Sequence, residues 1–132
     1  MTPTYIEKYT VQASDIDENN HMNNVKYVEW VQEISKKHWF KLVTPHGYDK
    51  EYFWVVINHN IDYKAPALEG EEIEIKTFVE KFEGVYSFRR VIITNLNTGK
   101  ICMSALTKWC LLSYETKRIC RIPEEFNQLM ME

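Results

Sequence analysis

Apolar and polar positions change rhythm several times along the chain, and each rhythm predicts an element. Thr4 to Val11 alternates with a period of two, which predicts a strand with Tyr5, Tyr9 and Val11 on one face and Glu7 on the same side, as at a sheet edge. From Ser14 to Asn24 the periodicity lapses: Asn19, Asn20, Asn23 and Asn24 follow Asp15 and Asp17, residue types that favour loops and helix N-caps because their short side chains bond nearby backbone N–H groups. Val25 to Val43 then follows an i, i+3, i+4 spacing. Tyr27, Val28, Val31, Ile34, His38, Trp39 and Leu42 make one face, and Lys26, Glu29, Glu33, Lys36, Lys37 and Lys41 fill the rest, with Glu33 and Lys37 placed for an i, i+4 ion pair. Pro45 and Gly47 stop this helix.

Beyond it the period is that of strands almost to the end. Tyr52 to Tyr63 is an aromatic and β-branched run. In Glu71 to Phe82, Ile73, Ile75, Thr77 and Val79 face one way, and Glu72, Glu74, Lys76 and Glu80 the other. Turns at Glu83-Gly84 and Asn97-Thr98-Gly99 lead into Val85 to Asn95 and Lys100 to Leu112, so these strands form an antiparallel meander. Pro123 followed by Glu124 and Glu125 opens a short terminal helix. Strand, helix, then four strands cannot make a parallel βαβ sheet. The order predicts an α+β fold, one long helix against a curved antiparallel sheet of five to six strands, with residues 1–132 as a single domain.

Composition narrows the function. Hydrophobic residues are 45% and charged residues 27%, ordinary globular usage that speaks against a disordered, collagenous or coiled-coil chain. A net charge of −3 offers no basic field for a nucleic-acid backbone. The longest apolar run, Phe53 to Ile57, falls far short of the about 20 residues that cross a bilayer, and MTPTYIEKYT carries no apolar leader. The expectation is a cytoplasmic protein without a membrane partner. Cys102, Cys110 and Cys120 lack metal or disulfide spacing and read as reduced, inert thiols, and His38, His46 and His59 have no mutual ligand spacing, so neither metal nor cofactor is expected.

Chemistry concentrates in Ser14 to Tyr27. Acidic, amide and imidazole groups crowd just before a helix whose first turn has free N–H groups and the positive dipole end, a combination suited to stabilising an anion or a polarised carbonyl. In an extended loop Asp17, Asn19 and His21 would point the same way. Asp15-x-Asp17-x-Asn19 also opens like a calcium loop, but Asn20 stands where Gly makes the sharp turn and Lys26 where a bidentate Glu must bind, which excludes that reading.

Asp17-x-Asn19-x-His21-Met22-Asn23-Asn24-Val25-Lys26-Tyr27 resembles the D-x-N-x-H-V-N-N-V-x-Y signature of hotdog-fold thioesterases, especially plant acyl-ACP thioesterases and the 4-hydroxybenzoyl-CoA thioesterase superfamily. Tyr63-x-x-Pro66-Ala67-x-x-Gly70-Glu71 and Arg121-Ile122-Pro123 are similar to later segments of those enzymes. The resemblance implies a hotdog fold and hydrolysis of acyl-CoA or acyl-ACP to a free acid and a thiol. It implies Asp17 as base or nucleophile, Asn19 orienting it or the water, and His21 as alternative base or hydrogen-bond partner. Asn23, Asn24 and Tyr27 would bind substrate, with N–H groups near Asn23 and Asn24 polarising the carbonyl. It also implies a homodimer or homotetramer with the site across the interface. Arg89, Arg90, Arg118 and Lys64 are candidates for carrier phosphates.

Two alternatives share the fold. An enoyl-CoA hydratase signature resembles D-x-N-P-x-H, whereas here His21 follows Asp17 by four residues and no Pro lies between Pro3 and Pro45. A non-catalytic acyl-CoA binding protein would have no need of the Asp17, Asn19 and His21 set.

Overall fold

The computed structural model describes residues 3–131. Along the chain run β1 (Tyr5–Thr10), a 3₁₀ turn (Ala13–Asp15), α1 (Asn24–Val43), a second 3₁₀ turn (Thr44–His46), α2 (Tyr48–Glu51), β2 (Tyr52–Tyr63), β3 (Glu72–Glu83), β4 (Tyr86–Asn95), β5 (Ile101–Ser113) and α3 (Glu125–Met130). The strands form one antiparallel sheet in the order β1-β3-β4-β5-β2, so the meander β3-β4-β5 is central and β1 and β2 are edges. This is the expected α+β arrangement, with five strands. Gly47, at φ 77°, supplies the left-handed residue that turns the chain from the end of α1 into α2.

Alternation decides which face is covered. Ile73, Ile75, Thr77 and Val79 of β3, Val91 and Ile93 of β4, and Met103, Ala105 and Leu111 of β5 are buried beneath α1. The expected apolar face of α1 is the buried one, joined by Trp30 and Ser35. Lys37 does not pair with Glu33: it reaches across to Glu7 of β1 at 3.1 Å, because a carboxylate on the neighbouring edge strand lies within its reach.

The core has two apolar parts. One gathers Tyr27, Trp30, Val31 and Ile34 of α1 with Ile73, Ile75, Val91 and Ile93; the other gathers Trp39 and Val43 with Val79, Leu111, Phe126 and Met130. Between them run buried polar side chains: His38 and Ser35 on α1, Thr77 on β3, Arg89 on β4 and Thr107 on β5. Arg89 is 5% exposed, which removes it from the candidates for carrier phosphates. Its Nη1 donates to His38 Nδ1 at 2.8 Å and to Thr77 Oγ1 at 3.2 Å. A guanidinium has only donors, so Nδ1 must be the unprotonated acceptor and the imidazole proton sits on Nε2. Burial, and then the Arg89 and Lys41 charges, pull His38 down to about 3. The Tyr5 ring stacks on it at 5.8 Å.

A histidine held neutral in the fold gives a pH dependence of defined sign. Below its ordinary value of 6.5 the unfolded chain binds a proton that the folded chain refuses, so stability falls on acidification from 6.5 towards 3. His38→Gln keeps an oxygen acceptor for Arg89 and removes this proton. Urea unfolding across acidic pH should show the parent losing stability faster than the variant, by up to about 1.4 kcal/mol per pH unit. Parallel curves would contradict it.

Candidate active site

The loop between β1 and α1 is built around Asp15. This carboxylate is buried, and its Oδ2 accepts from Tyr9 Oη at 2.9 Å and from the Gln12 N–H at 2.8 Å, while Lys26 Nζ stands 3.7 Å from Oδ1. Its backbone carbonyl accepts from the Asn23 N–H at 2.8 Å. One residue thus ties the end of β1, the 3₁₀ turn and the start of α1 together. The motif singled out Asp17, but nothing in the sequence gave Asp15 its anchoring role, because only the tertiary fold brings Tyr9 and Lys26 to it.

The segment that follows is not extended, contrary to the period-two expectation. Ile16 and Met22 bridge, the Asp17 N–H donates to the His21 carbonyl at 2.8 Å, and Asn20 takes φ 62° at the tip. The chain therefore doubles back on itself. Asp17 and His21 meet through the backbone across this turn, with the Asp17 carboxylate directed at the turn's own N–H groups. The doubling back reflects the Asp17 carboxylate, whose Oδ1 accepts from the Asn19 N–H at 2.9 Å and the His21 N–H at 3.3 Å, an Asx-type closure that outweighs an extended strand. Its other oxygen accepts no hydrogen bond among the described residues. Asn19 is exposed near the tip, away from the cleft described next.

His21, Asn24 and Tyr27 line a cleft of about 210 Å³ whose far wall is Tyr63, Lys64, Pro66 and Cys102. The two motif segments meet here, joined by the Met22 N–H on the Ala67 carbonyl at 3.2 Å. Of the four cations considered for phosphates, Lys64 alone lines the cleft; Arg90 is paired with Glu80 at 2.8 Å. Asn23 is the N-cap, its side chain accepting from the Val25 N–H at 2.8 Å, and its own N–H is held by Asp15, so it is committed to the helix and not to a ligand. The N–H of Asn24, the first helical residue, has no acceptor among the described residues, which leaves one donor at the positive end of α1.

Tyr27 is buried, its ring 5.7 Å from that of Tyr63, and burial and then the adjacent Cys102 raise its phenol well above the ordinary range. Burial likewise raises the Cys102 thiol, so it stays protonated and is no nucleophile. A larger cavity, about 450 Å³, lies beside the second half of α1 and contains none of these residues. Of the residues expected at the site, His21, Asn24 and Tyr27 meet at the smaller cleft beside the free helix donor, whereas Asp17 and Asn19 stand in the adjoining turn and do not line it.

The family model described as the acyl-ACP thioesterase N-terminal domain matches residues 2–130. The chain is 31% identical over 83 residues to a palmitoyl-acyl carrier protein thioesterase of Cuphea hookeriana, a stretch covering 62% of this chain and 20% of that protein. The match thus spans about a fifth of the length of these Cuphea relatives. The chain is 23% identical over 123 residues to the long-chain acyl-CoA thioesterase FadM of Escherichia coli, covering 89% of this chain and 90% of the other. Among solved structures, a predicted thioesterase from Bacillus stearothermophilus superposes with a TM-score of 0.83 at 21% identity, covering 98% of this chain and 95% of that one, and so shares the fold.

The Asp15 cluster gives a prediction separable from catalysis. Asp15→Ala leaves the Gln12 N–H and the half-buried Tyr9 hydroxyl without their acceptor and should lower unfolding free energy by about 1–3 kcal/mol in urea denaturation. Asp15→Asn, which retains an acceptor, should lose less than half of that.

Proposed function

The chain belongs to the acyl-ACP thioesterase N-terminal domain family, and from that premise we propose that it hydrolyses acyl thioesters of CoA or of acyl carrier protein to a carboxylic acid and a thiol. One observation carries the reading. His21 lines the cleft with Asn24, whose N–H is unengaged at the start of α1, and Asp17 is tied to His21 in the same turn, by its N–H on the His21 carbonyl and its Oδ1 on the His21 N–H. The oxygen of Asp17 that accepts no hydrogen bond takes a proton from water as that water attacks the thioester carbonyl carbon. The oxyanion forming on the carbonyl oxygen is met by the Asn24 N–H and the helix dipole. The C–S bond then breaks, and the proton passes to the leaving sulfur. His21 orients the water from the opposite side of the hairpin, and Asn19 supports the loop tip. Asn23 acts indirectly, by capping the helix whose first N–H does this work. Tyr27 shapes the wall, and Lys64 meets the carrier's phosphates.

We place the working unit as a homodimer formed through β2, with a homotetramer as its further assembly. β2 is a 12-residue edge strand bonded only to β5, with Val55 37% and Ile57 51% exposed. Such an edge is a template for pairing with a second copy, whereas the other edge, β1, is a 6-residue strand carrying Glu7 and Lys8. No helix among the described residues is long and apolar enough to cross a membrane, and Cys102, Cys110 and Cys120 are all unpaired, as suits the reducing cytoplasm.

Free-thiol release from short-, medium- and long-chain acyl-CoA, an aromatic acyl-CoA and acyl-ACP tests the activity. Asp17→Asn should lower kcat by about 10²–10⁴ with the fold intact; full retained turnover would remove Asp17 from the chemistry. Asn24→Pro isolates the backbone donor. Proline suits the first helical position, and Asn23, at φ −65° and ψ 131°, already has the conformation that precedes a proline. The variant should fold normally and lose about 10²–10³ in kcat. For the assembly, Val55→Lys with Ile57→Lys should give a monomer in sedimentation at micromolar concentration.

A further inference from the structure

The larger cavity contains an electrostatic anomaly. Its volume of about 450 Å³ falls within the range of small-molecule pockets, about 300–1,000 Å³, and Trp39, Tyr52, Trp54 and Met130 make much of it apolar. Arg89 also lines it, and it meets no carboxylate among the described residues. Both of its hydrogen bonds leave from Nη1, to a neutral imidazole and a hydroxyl, so Nε and Nη2 have no protein acceptor among the described residues. Burial alone pulls the guanidinium down to about 10, so it remains a cation at neutral pH. A buried cation with no counter-charge is among the most costly arrangements a core can hold, and such groups are normally paired.

A second buried donor stands beside it. Trp109, 5% exposed, lines the same cavity, and its Nε1 is buried with no hydrogen-bond partner among the described residues. Register explains the proximity: Ser87 of β4 lies opposite Trp109 of β5, Arg89 follows Ser87 by two positions, and all three therefore share the inner face. The buried Ser87 adds a hydroxyl to this wall. The other orphaned atom of the cavity is an acceptor, Asp49 Oδ1 on α2, which pairs with no cation among the described residues.

We propose that this cavity binds a carboxylate-ended organic anion, its chain among the tryptophans and its carboxylate on Arg89 and Trp109. The carboxylate has two possible sources of the same chemistry: the far end of an acyl group that carries a terminal carboxylate, or a free carboxylic acid such as a hydrolysis product. The first source rests on the thioester hydrolase reading; binding of the anion does not. Asp49 opposes a second negative charge in the cavity and favours a single carboxylate.

The first measurement is equilibrium binding of decanoate and of decanol below their aggregation concentrations, read by fluorescence of the cavity tryptophans. Decanoate should bind at least about tenfold more tightly than decanol, the equivalent of one charge-assisted contact. Arg89→Met, an exchange of a buried charge for an apolar side chain that cores tolerate, should abolish the preference. Trp109→Phe should weaken decanoate several-fold and leave decanol unchanged, and Asp49→Asn should tighten decanoate. Should Arg89→Met fail to fold, the parent's preference and the Trp109→Phe response decide the matter. Equal binding of the two probes by the parent, or a preference unchanged in Arg89→Met, overturns the proposal.

The second measurement compares hydrolysis of decanoyl-CoA and of its ω-carboxy analogue, sebacoyl-CoA. A higher kcat/KM for sebacoyl-CoA that reverses in Arg89→Met identifies the acyl terminus as the carboxylate. Preference in binding without preference in turnover, with decanoate inhibiting, identifies the free acid. Hydrolysis of neither thioester nor of any in the acyl-CoA and acyl-ACP panel above, with the binding preference kept, overturns the hydrolase reading and upholds the cavity site.

Discussion

A guanidinium without a carboxylate partner lies at the centre of this fold, and the packing around it follows from keeping that charge tolerable. Arg89 can donate to His38 only while the imidazole is neutral, and His38 can meet it only if α1 lies on the sheet in one rotational and axial position. The contact therefore acts as a register pin between helix and sheet. It also divides the core: aromatic and β-branched packing on the N-terminal side of α1, and a cluster closed by Phe126 and Met130 of α3 on the other. Purely apolar packing would leave the helix freer to slide, since dispersion contacts are non-directional.

Fixing α1 in this way fixes its first turn, which is where the chemistry gathers. At a rise of about 1.5 Å per residue, Asn24 lies roughly 20 Å along the axis from His38, so a displacement at the pin would be carried rigidly to the reactive loop. Within that loop the labour is divided between neighbours of the same residue type. Asp15 and Asn23 are engaged with backbone N–H groups and hold the entry to the helix; Asp17 uses one oxygen to close its own turn and keeps the other. Such division lets a polar segment be held rigidly while one carboxylate oxygen is left without a protein partner among the described residues.

The two cavities differ in kind. The smaller one is shallow, near the surface, and bordered by groups that can exchange protons. The larger one is an aromatic chamber against the buried belt, where the buried Arg89 is strengthened by its low-dielectric surroundings, with Asp49 and the exposed Lys36 also on its lining. The two lie at different stretches of α1, the smaller at its first turn and the larger beside its second half.

Much of this was legible in the chain itself. The period of two in β1 and β3, the 3.6-residue period of α1 and the turn glycines are local signals, and local signals survive into the structure to within a residue or two. Three residues of the motif around Asp17, namely His21, Asn24 and Tyr27, come together on one cleft, while Asp17 and Asn19 do not line it. What could not be read locally were choices among like residues. Two aspartates stand two positions apart, and only the arrival of Tyr9 and Lys26 makes Asp15 the anchor, while Asp17 keeps one oxygen without a partner among the described residues. Four cations looked alike as phosphate ligands, yet strand register turns Arg89 inward and Arg90 outward, because the pleat reverses direction at every residue. Amphipathic periodicity determined the elements; burial, which depends on partners distant in sequence, decided which of their polar groups are structural and which are left with something to bind.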